Sequence, residues 1–109
     1  MNSSRITPRE AADIQRKLQS RVSCRPAISL SKMRLVAGAD VSYARRATDG
    51  HAAIVVCTYP GLELVEIASA SGIINFPYVP GLLTFRELPL LEEAWGKLNH
   101  RPDILVCDG

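Results

Sequence analysis

Three acidic residues stand where an ionised carboxylate is costly. Asp40 interrupts the apolar run LVAGADVSY (35–43), Asp108 ends the apolar run DILVCDG (103–109), and Glu87 lies near the start of the helical stretch between them. A carboxylate set against apolar surface needs a cation or hydrogen bonds. Oxygen donors of this kind suit Mg²⁺, with Mn²⁺ as a substitute. If the first and last strands are neighbours, Asp40, Glu87 and Asp108 meet in one metal site.

Each of these acids also has a purely structural alternative. Glu87 follows Thr84 by three residues, which is the spacing of a capping box. Asp108-Gly109 fits a turn, and Asp40 fits a cap at a β-bulge. Taken together the three acids favour the metal site, because the order of the elements brings them to one place.

The stretch FPYVPGLLTFRELP (76–89) combines a stiff backbone with an aromatic side chain. Its prolines fix backbone angles and lower the entropy of the free loop. Tyr78 on such a loop can wedge between base steps of a nucleic acid. The alternative is an aromatic side chain that covers the core beneath a surface loop.

Basic residues concentrate in the first part of the chain, although the net charge is only +2. Residues 1–47 hold ten Lys and Arg against three Asp and Glu, whereas residues 48–109 hold three against eight. This asymmetry favours a basic surface for a polyanion and an acidic region that attracts cations. The alternative is that the basic side chains only solvate an N-terminal helix.

Length and composition indicate one domain, residues 1–109, with 47% hydrophobic residues. No apolar stretch is long enough to span a membrane, and the N-terminus lacks the apolar core of a secretory signal. Cys24, Cys57 and Cys107 show neither a CxxC pair nor a zinc spacing. Cys57 and Cys107 are predicted to be small buried hydrophobes. A cytoplasmic protein is expected.

Two helices are predicted. Thr7-Pro8-Arg9-Glu10 is a capping box with proline at the first helical position, so a helix is expected over residues 8–22. A second helix begins near Glu87, within the 76–89 stretch, and ends before Pro102. The apolar positions that define the inner faces are Ala11, Ile14, Leu18 and Val22 for the first helix, and Leu88, Leu91, Trp95 and Leu98 for the second.

Three strands are predicted to form an antiparallel meander over residues 34–72. Asp49-Gly50 is a hairpin signal before HAAIVVCTY (51–59), and Pro60-Gly61 predicts a type II turn before LELVEIASASG (62–72). In the third strand Leu62, Leu64 and Ile67 are expected to point inward, with Glu63 and Glu66 outward.

The run DILVCDG is typical of a strand buried on both faces. The helix before it supplies the crossover that a parallel strand needs. The fold class is therefore α/β, with a mixed sheet made of the meander and one parallel strand.

The segments AGADVSY, PYVPGLLTFRE and PDILVCDG together resemble the endonuclease V family of deoxyinosine-specific repair nucleases, and YPGLELVE is similar to the corresponding hairpin. The resemblance covers about residues 35–109. It implies a ribonuclease H-like fold for the core, residues 34–109, with the C-terminal part of that fold missing from this sequence.

For function, the resemblance implies Mg²⁺-dependent hydrolysis of the second phosphodiester on the 3′ side of deoxyinosine in DNA, with inosine-containing RNA as a further partner. Asp40, Glu87 and Asp108 resemble the metal-binding acids of the family. Tyr78 resembles its strand-separating wedge, within the loop formed by Pro77, Tyr78, Val79, Pro80 and Gly81. A monomer without membrane attachment is expected.

Two other functions stay open. One is a truncated or non-catalytic nucleic-acid-binding module of the same fold. The other is an interaction domain that binds no nucleic acid, which predicts no salt-dependent binding. Replacement of Asp40 separates the nuclease from the binding module, because a nuclease loses cleavage while it keeps binding.

Overall fold

The computed structural model describes residues 6–25, 28–43 and 48–107. The elements in chain order are α1 (Pro8–Gln19), a short 3-10 turn (Leu30–Lys32), β1 (Leu35–Ser42), β2 (Asp49–Thr58), β3 (Leu64–Ile73), α2 (Thr84–Gly96) and β4 (Ile104–Cys107). None of the described helices has the length and hydrophobicity needed to cross a bilayer.

The four strands form one mixed sheet in the order β3-β2-β1-β4. β1 pairs antiparallel with β2, and β2 pairs antiparallel with β3. β4 returns through the crossover helix α2 and pairs parallel with β1, from Val36–Ile104 to Ala39–Cys107. The predicted fold class is confirmed: a three-stranded antiparallel meander with one parallel strand after a crossover helix.

The main core lies between α2 and one face of the sheet. Ile54 and Val56 of β2 are fully buried there. Ala94 of α2 and Leu98, which follows α2, belong to the same cluster. The flanking strands present alanines to the helix, namely Ala37, Ala68 and Ala70. Small side chains let the helix axis approach the sheet closely, and interiors of this kind are densely packed.

Asp103 fixes the start of the parallel strand pair. Its Oδ2 accepts hydrogen bonds from the backbone N–H groups of Arg34 at 2.8 Å and Leu35 at 3.0 Å, and its own N–H donates to the Leu35 carbonyl at 2.9 Å. The bond from Leu35, followed by that from Arg34, holds the pKa of Asp103 below its ordinary value of 3.8. The β1–β4 register therefore depends on a side chain as well as on the ladder.

Helix α1 begins as predicted but is shorter than expected. Thr7 caps it, with Oγ1 accepting from Glu10 N–H and the Glu10 side chain accepting from Thr7 N–H, so the capping box is confirmed. It ends at Gln19 rather than at residue 22. Only Ala11 is fully buried, whereas Leu18 and Val22 are exposed, because α1 packs through its first turns alone.

The Asp49-Gly50 turn prediction is wrong. Both residues belong to β2 and pair with Ile73 and Gly72 of β3. A Cβ added at position 50 would lie 2.6 Å from Cδ1 of Ile74, so a larger residue there would need the Ile74 side chain to shift. Gly50 therefore lies at a closely packed position of a strand and not in a turn.

The second turn exists but is not of type II. The Tyr59-Pro60 peptide is cis, and the left-handed residue is Leu62, with φ 57°, rather than Gly61. The Leu62 N–H donates to the Thr58 carbonyl, and the Thr58 N–H donates to the Glu63 carbonyl.

The predicted inward face of β3 is also wrong. Ala68 and Ala70 are buried, whereas Leu62, Leu64 and Ile67 are exposed. A register shift lies opposite Val56 and Cys57, where β3 has one extra residue. A β-bulge of this kind changes which side chains face the core.

Strand β4 is exposed rather than buried on both faces. All four of its residues are exposed, and Cys107 is an exposed free thiol rather than a buried one. β4 is the edge strand of the described sheet, and α2 packs over β1, β2 and β3. The side chains of β4 are exposed because α2 packs over the other three strands of the sheet.

Glu66 joins β3 to the turn after α2. Its carboxylate accepts from the N–H groups of Asn99 at 3.0 Å and His100 at 2.9 Å, and the Nδ1 atom of His100 lies 3.0 Å away. The Asn99 bond, followed by the His100 side chain, lowers the pKa of Glu66 below its ordinary value of 4.5. The carboxylate thus stabilises the turn in its ionised form.

We predict that Glu66→Gln reduces the acid sensitivity of the fold. A carboxylate whose pKa is lowered on folding contributes stability above its unfolded pKa, and this contribution is lost as the pH falls through the folded value. Thermal unfolding measured from neutral pH down to about pH 3 should show a shallower fall in Tm for the variant. Glu92→Gln, an exposed position on α2, is the matched control. Identical pH profiles for Glu66→Gln and the unchanged chain would contradict this role.

Candidate functional site

Asp40 lies on the open face of the sheet. It pairs with Ala53 in a β1–β2 register that is unbroken from Leu35 to Ser42, so the β-bulge alternative is wrong. Its neighbours Ala39 and Val41 pack toward α2, and the alternation of a strand places Asp40 on the opposite face. One carboxylate oxygen accepts from the Val41 N–H at 2.9 Å.

The surface around Asp40 is a shallow groove with two different sides. Small and polar side chains border it toward β2 and β3, where Nδ1 of His51 lies 2.7 Å from Oγ of Ser71. The other side of the groove is apolar and is formed by β1, β2 and β4. The residues on the polar side are Ser42, His51, Ser69 and Ser71, and those on the apolar side are Gly38, Val55 and Val106. The carboxylate therefore stands at the boundary between them and is open to solvent.

Glu87 lies in the first turn of α2 and is half-buried. The helix begins at Thr84 with Leu83 as its N-cap and without a side-chain capping bond, so the predicted capping-box alternative is wrong. The Tyr43 hydroxyl instead donates to Oε2 of Glu87 at 3.1 Å. Burial, followed by the bond to Glu87, raises the pKa of Tyr43 above its ordinary value of 10.0. Tyr43 thus stays protonated at neutral pH and acts as a donor.

Asp40 and Glu87 lie at the same end of the sheet but reach it from opposite faces. Tyr43, which contacts Glu87, follows Asp40 by three residues, a separation of about 10 Å along an extended chain. Asp108 lies outside the described residues. The described parallel register ends at Ala39–Cys107, so the next residue in each chain segment is one of the predicted acids. Within residues 6–25, 28–43 and 48–107, no three His, Cys, Asp or Glu side chains form a metal-binding group.

Arg86 joins Tyr78 to the end of β1. It is only 5% exposed, and its guanidinium carbon lies 4.7 Å from the Tyr43 ring centre and 5.8 Å from that of Tyr78. Arginine over aromatic rings at these distances makes a cation–π interaction, which is stronger where water is excluded. The loop, the strand end and α2 are thereby held together.

The Tyr78 loop contains a hydrogen-bonded turn at its second proline. The Leu82 N–H donates to the Val79 carbonyl at 2.9 Å and closes a turn over Pro80 and Gly81, where Gly81 has φ 86°. Proline followed by a left-handed glycine is the pattern of a type II turn. Tyr78 itself is 37% exposed, so it is neither a core residue nor fully in solvent.

The base of this loop packs on α1. Phe76 and Phe85 are buried with their ring centres 5.6 Å apart, and they contact Ala11 of α1 in a second hydrophobic cluster. Val79 packs against the same cluster. The basic helix therefore lies beside the loop that carries Tyr78.

Sequence reasoning alone does not single out two residues of this region. In the sequence, Arg86 is recognisable only as the neighbour of Glu87, and Tyr43 only as the last residue of a predicted strand. A signal for Tyr43 is present, because it shares its alternation phase with Val41 and so faces α2. The partner that it meets there depends on tertiary packing.

The sequence profile of the family described as Endonuclease V matches residues 16–109. Endonuclease V of Dehalococcoides mccartyi is 46% identical over 104 residues, which cover 95% of this chain and 46% of that protein.

Two solved structures have the same fold over nearly the whole chain. The Streptomyces avermitilis endonuclease V superposes with a TM-score of 0.84 at 38% identity, covering 94% of this chain and 45% of that one. The Ciona intestinalis endonuclease V, in complex with a 24-mer DNA containing an inosine followed by a ribo-adenosine, has a TM-score of 0.81 at 27% identity, with 93% and 45% covered. The chain thus spans less than half the length of these relatives. On the profile match and these similarities together, the chain belongs to the endonuclease V family.

Proposed function

We propose that this chain forms the metal-binding and strand-separating part of a DNA repair endonuclease. The reaction is hydrolysis of the second phosphodiester on the 3′ side of deoxyinosine by in-line attack of water. The observation that carries the proposal is the β1–β4 register, because it ends one residue before Asp40 on one strand and one residue before Asp108 on the other. Glu87 lies at the same end of the sheet.

The residues at this end suit a hard divalent cation such as Mg²⁺, or Mn²⁺ in its place. Asp40 is exposed on the groove, and its described hydrogen bond uses one oxygen. Glu87 is oriented by the Tyr43 hydroxyl, as ligands of metal sites commonly are by an outer partner. Asp40, Glu87 and Asp108 would hold the ion, and Glu87 would reach it past the end of the sheet, where β1 has no described neighbour beyond Ala39 on the β4 side.

The chemistry divides between the ion and the chain. When bound, the ion supplies Lewis-acid activation of the attacking water and of the leaving oxygen. The carboxylates would hold the ion, and the basic side chains of the chain would hold the phosphate backbone. Tyr78 separates the strands beside the lesion, and hypoxanthine is read in a pocket after it leaves the stack.

The surroundings of the loop supply the contacts to the phosphate backbone. Helix α1 carries exposed Arg9, Arg16 and Lys17, with Arg21 just beyond its end, and packs against the base of the Tyr78 loop. Lysine and arginine contacts of this type orient a protein on DNA without reading its sequence.

The cellular setting is part of the same proposal. We place the protein in the cytoplasm as a monomer, and its three free cysteines suit a reducing compartment. Inosine-containing RNA is a second substrate class, cut by the same phosphodiester hydrolysis.

The proposal is tested in a chimera in which this chain replaces the aligned part of Dehalococcoides mccartyi endonuclease V. The chimera restores the length of the family around this chain. With Mg²⁺ it should cut a duplex containing one deoxyinosine and leave the matched adenine duplex intact. A folded chimera that binds the inosine duplex but never cuts it would favour the non-catalytic binding module instead.

We predict that binding of the inosine duplex weakens with salt through the basic side chains of α1 and its C-terminal end. Each phosphate neutralised on duplex DNA contributes a slope of about −0.9 to the plot of log K against log salt concentration. Replacing Lys17 and Arg21 by Gln should make the slope shallower by about 0.9 for each phosphate that is no longer neutralised. Arg101→Gln is the control. Arg101 is a basic residue that follows α2, and its guanidinium lies over the ring of Trp95 and not on α1. A slope unchanged by the Lys17 and Arg21 substitutions would remove this helix from the interface.

A further inference from the structure

We propose that Tyr43 is a positioning residue with two separable roles, one toward Glu87 and one toward the Tyr78 loop. Its hydroxyl donates to Glu87 Oε2, and its ring lies under the guanidinium of Arg86. The same guanidinium lies over Tyr78. The inference rests on the proposed function for the meaning of these contacts, but the contacts can be tested without it.

The hydroxyl fixes the carboxylate. Glu87 is half-buried near the start of α2, where a free carboxylate would sample several rotamers. The hydrogen bond that the Tyr43 hydroxyl donates to Oε2 selects one of them. Outer partners of metal ligands typically change metal affinity by about 10- to 100-fold when removed.

The ring fixes the loop through Arg86. A charged side chain that is 5% exposed must gain compensating interactions in the folded state. Two aromatic faces provide part of that compensation, and they come from the end of β1 and from the Tyr78 loop. The position of Tyr78 is therefore tied to the strand that carries Asp40.

These two roles predict opposite results for two substitutions. Tyr43→Phe keeps the ring and removes the hydroxyl, so Mn²⁺ affinity should fall about tenfold while the loop stays protected. Arg86→Gln removes the cation and keeps Tyr43, so exchange of the loop amides should rise about tenfold while Mn²⁺ affinity changes less than about threefold. Tyr43→Leu should show both effects.

The measurements are Mn²⁺ binding by electron paramagnetic resonance and hydrogen exchange of the peptide spanning residues 76–86, in the unmodified 109-residue chain and in the chimera. Protection of the β2 peptide, residues 51–58, reports whether each variant is folded. Should Tyr43→Leu lose that protection, Tyr43→Phe and Arg86→Gln still decide the question.

The inference is overturned if Tyr43→Phe loosens the loop as much as Arg86→Gln does, or if it leaves Mn²⁺ affinity unchanged. Loop exchange distinguishes this failure from failure of the proposed function, because it requires neither DNA nor metal. If the loop responds as expected but neither the variants nor the unmodified protein bind Mn²⁺, the metal role of Glu87 is wrong. In that case only the role of Tyr43 and Arg86 in holding the Tyr78 loop stands.

Discussion

Asp40→Asn in the chimera is expected to abolish cleavage of the inosine duplex while binding is kept. The substitution preserves the size of the side chain but removes the charge that a divalent cation needs. Loss of an outer partner alone costs about 10- to 100-fold in a metal site, so loss of a direct ligand should lower the rate by more than about a hundredfold. Single-turnover cleavage with saturating enzyme measures the rate without the binding step.

Binding should survive because Asp40 is exposed and makes its described hydrogen bond to its neighbour Val41. In the absence of metal the variant should bind DNA at least as tightly, since one negative charge beside the phosphates is gone. Glu93→Gln, an exposed carboxylate on α2, controls for a general change in charge. Cleavage by Asp40→Asn within about threefold of the unmodified chimera would exclude Asp40 from the metal site.

Tyr78→Ala is expected to weaken binding of the inosine duplex about ten- to a hundredfold, because aromatic stacking on a base contributes roughly 1–3 kcal/mol. The loss should be smaller on single-stranded inosine DNA, where there is no partner strand to separate. Fluorescence anisotropy on both substrates, with metal withheld, gives the comparison directly. Tyr78→Phe keeps the ring and should bind almost normally.

Two results of this experiment would contradict the wedge role of Tyr78. Equal losses on duplex and single strand would make Tyr78 a stacking platform rather than a wedge. Unchanged affinity together with a lower Tm would assign it to the packing of Arg86, whose guanidinium lies 5.8 Å from the ring centre.

The two helices, the meander strands and a parallel last strand could be predicted from the sequence because their signals are local. Thr7 and Glu10 form their capping box whatever the rest of the chain does, and a crossover helix permits a parallel strand after it. The pairing of β4 with β1 is a tertiary result, which the sequence offered only as a condition for the metal site. The location of Asp40 and Glu87 at the same end of the sheet follows from the same order of elements. Their approach from opposite faces does not, because it depends on how β1 alternates and where α2 begins.

The wrong predictions for β3 share one physical cause. The pattern predicts that large apolar side chains point inward, but α2 approaches β3 through Ala68 and Ala70, and Ile67 is left on the open face. The extra residue of the β-bulge lies between Leu64 and Glu66, so it puts Leu64 on the same exposed face as Ile67.

The edge position of β4 and the burial of Arg86 are the other features that residue spacing could not predict. β4 has the composition of a buried strand but lies at the edge of the described sheet. Arg86 meets Tyr43 only after a meander and a loop have folded, so its burial is a tertiary result rather than a motif.

The most direct test of the metal site is anomalous diffraction from crystals of the chimera grown with Mn²⁺ and an inosine duplex. We predict a peak that contacts carboxylate oxygens of Asp40 and Asp108 at about 2.1 Å, with Glu87 oriented toward it by Tyr43. A well-ordered complex in which the peak lies elsewhere, or in which Asp40 and Asp108 point away from each other without metal between them, would contradict the shared site.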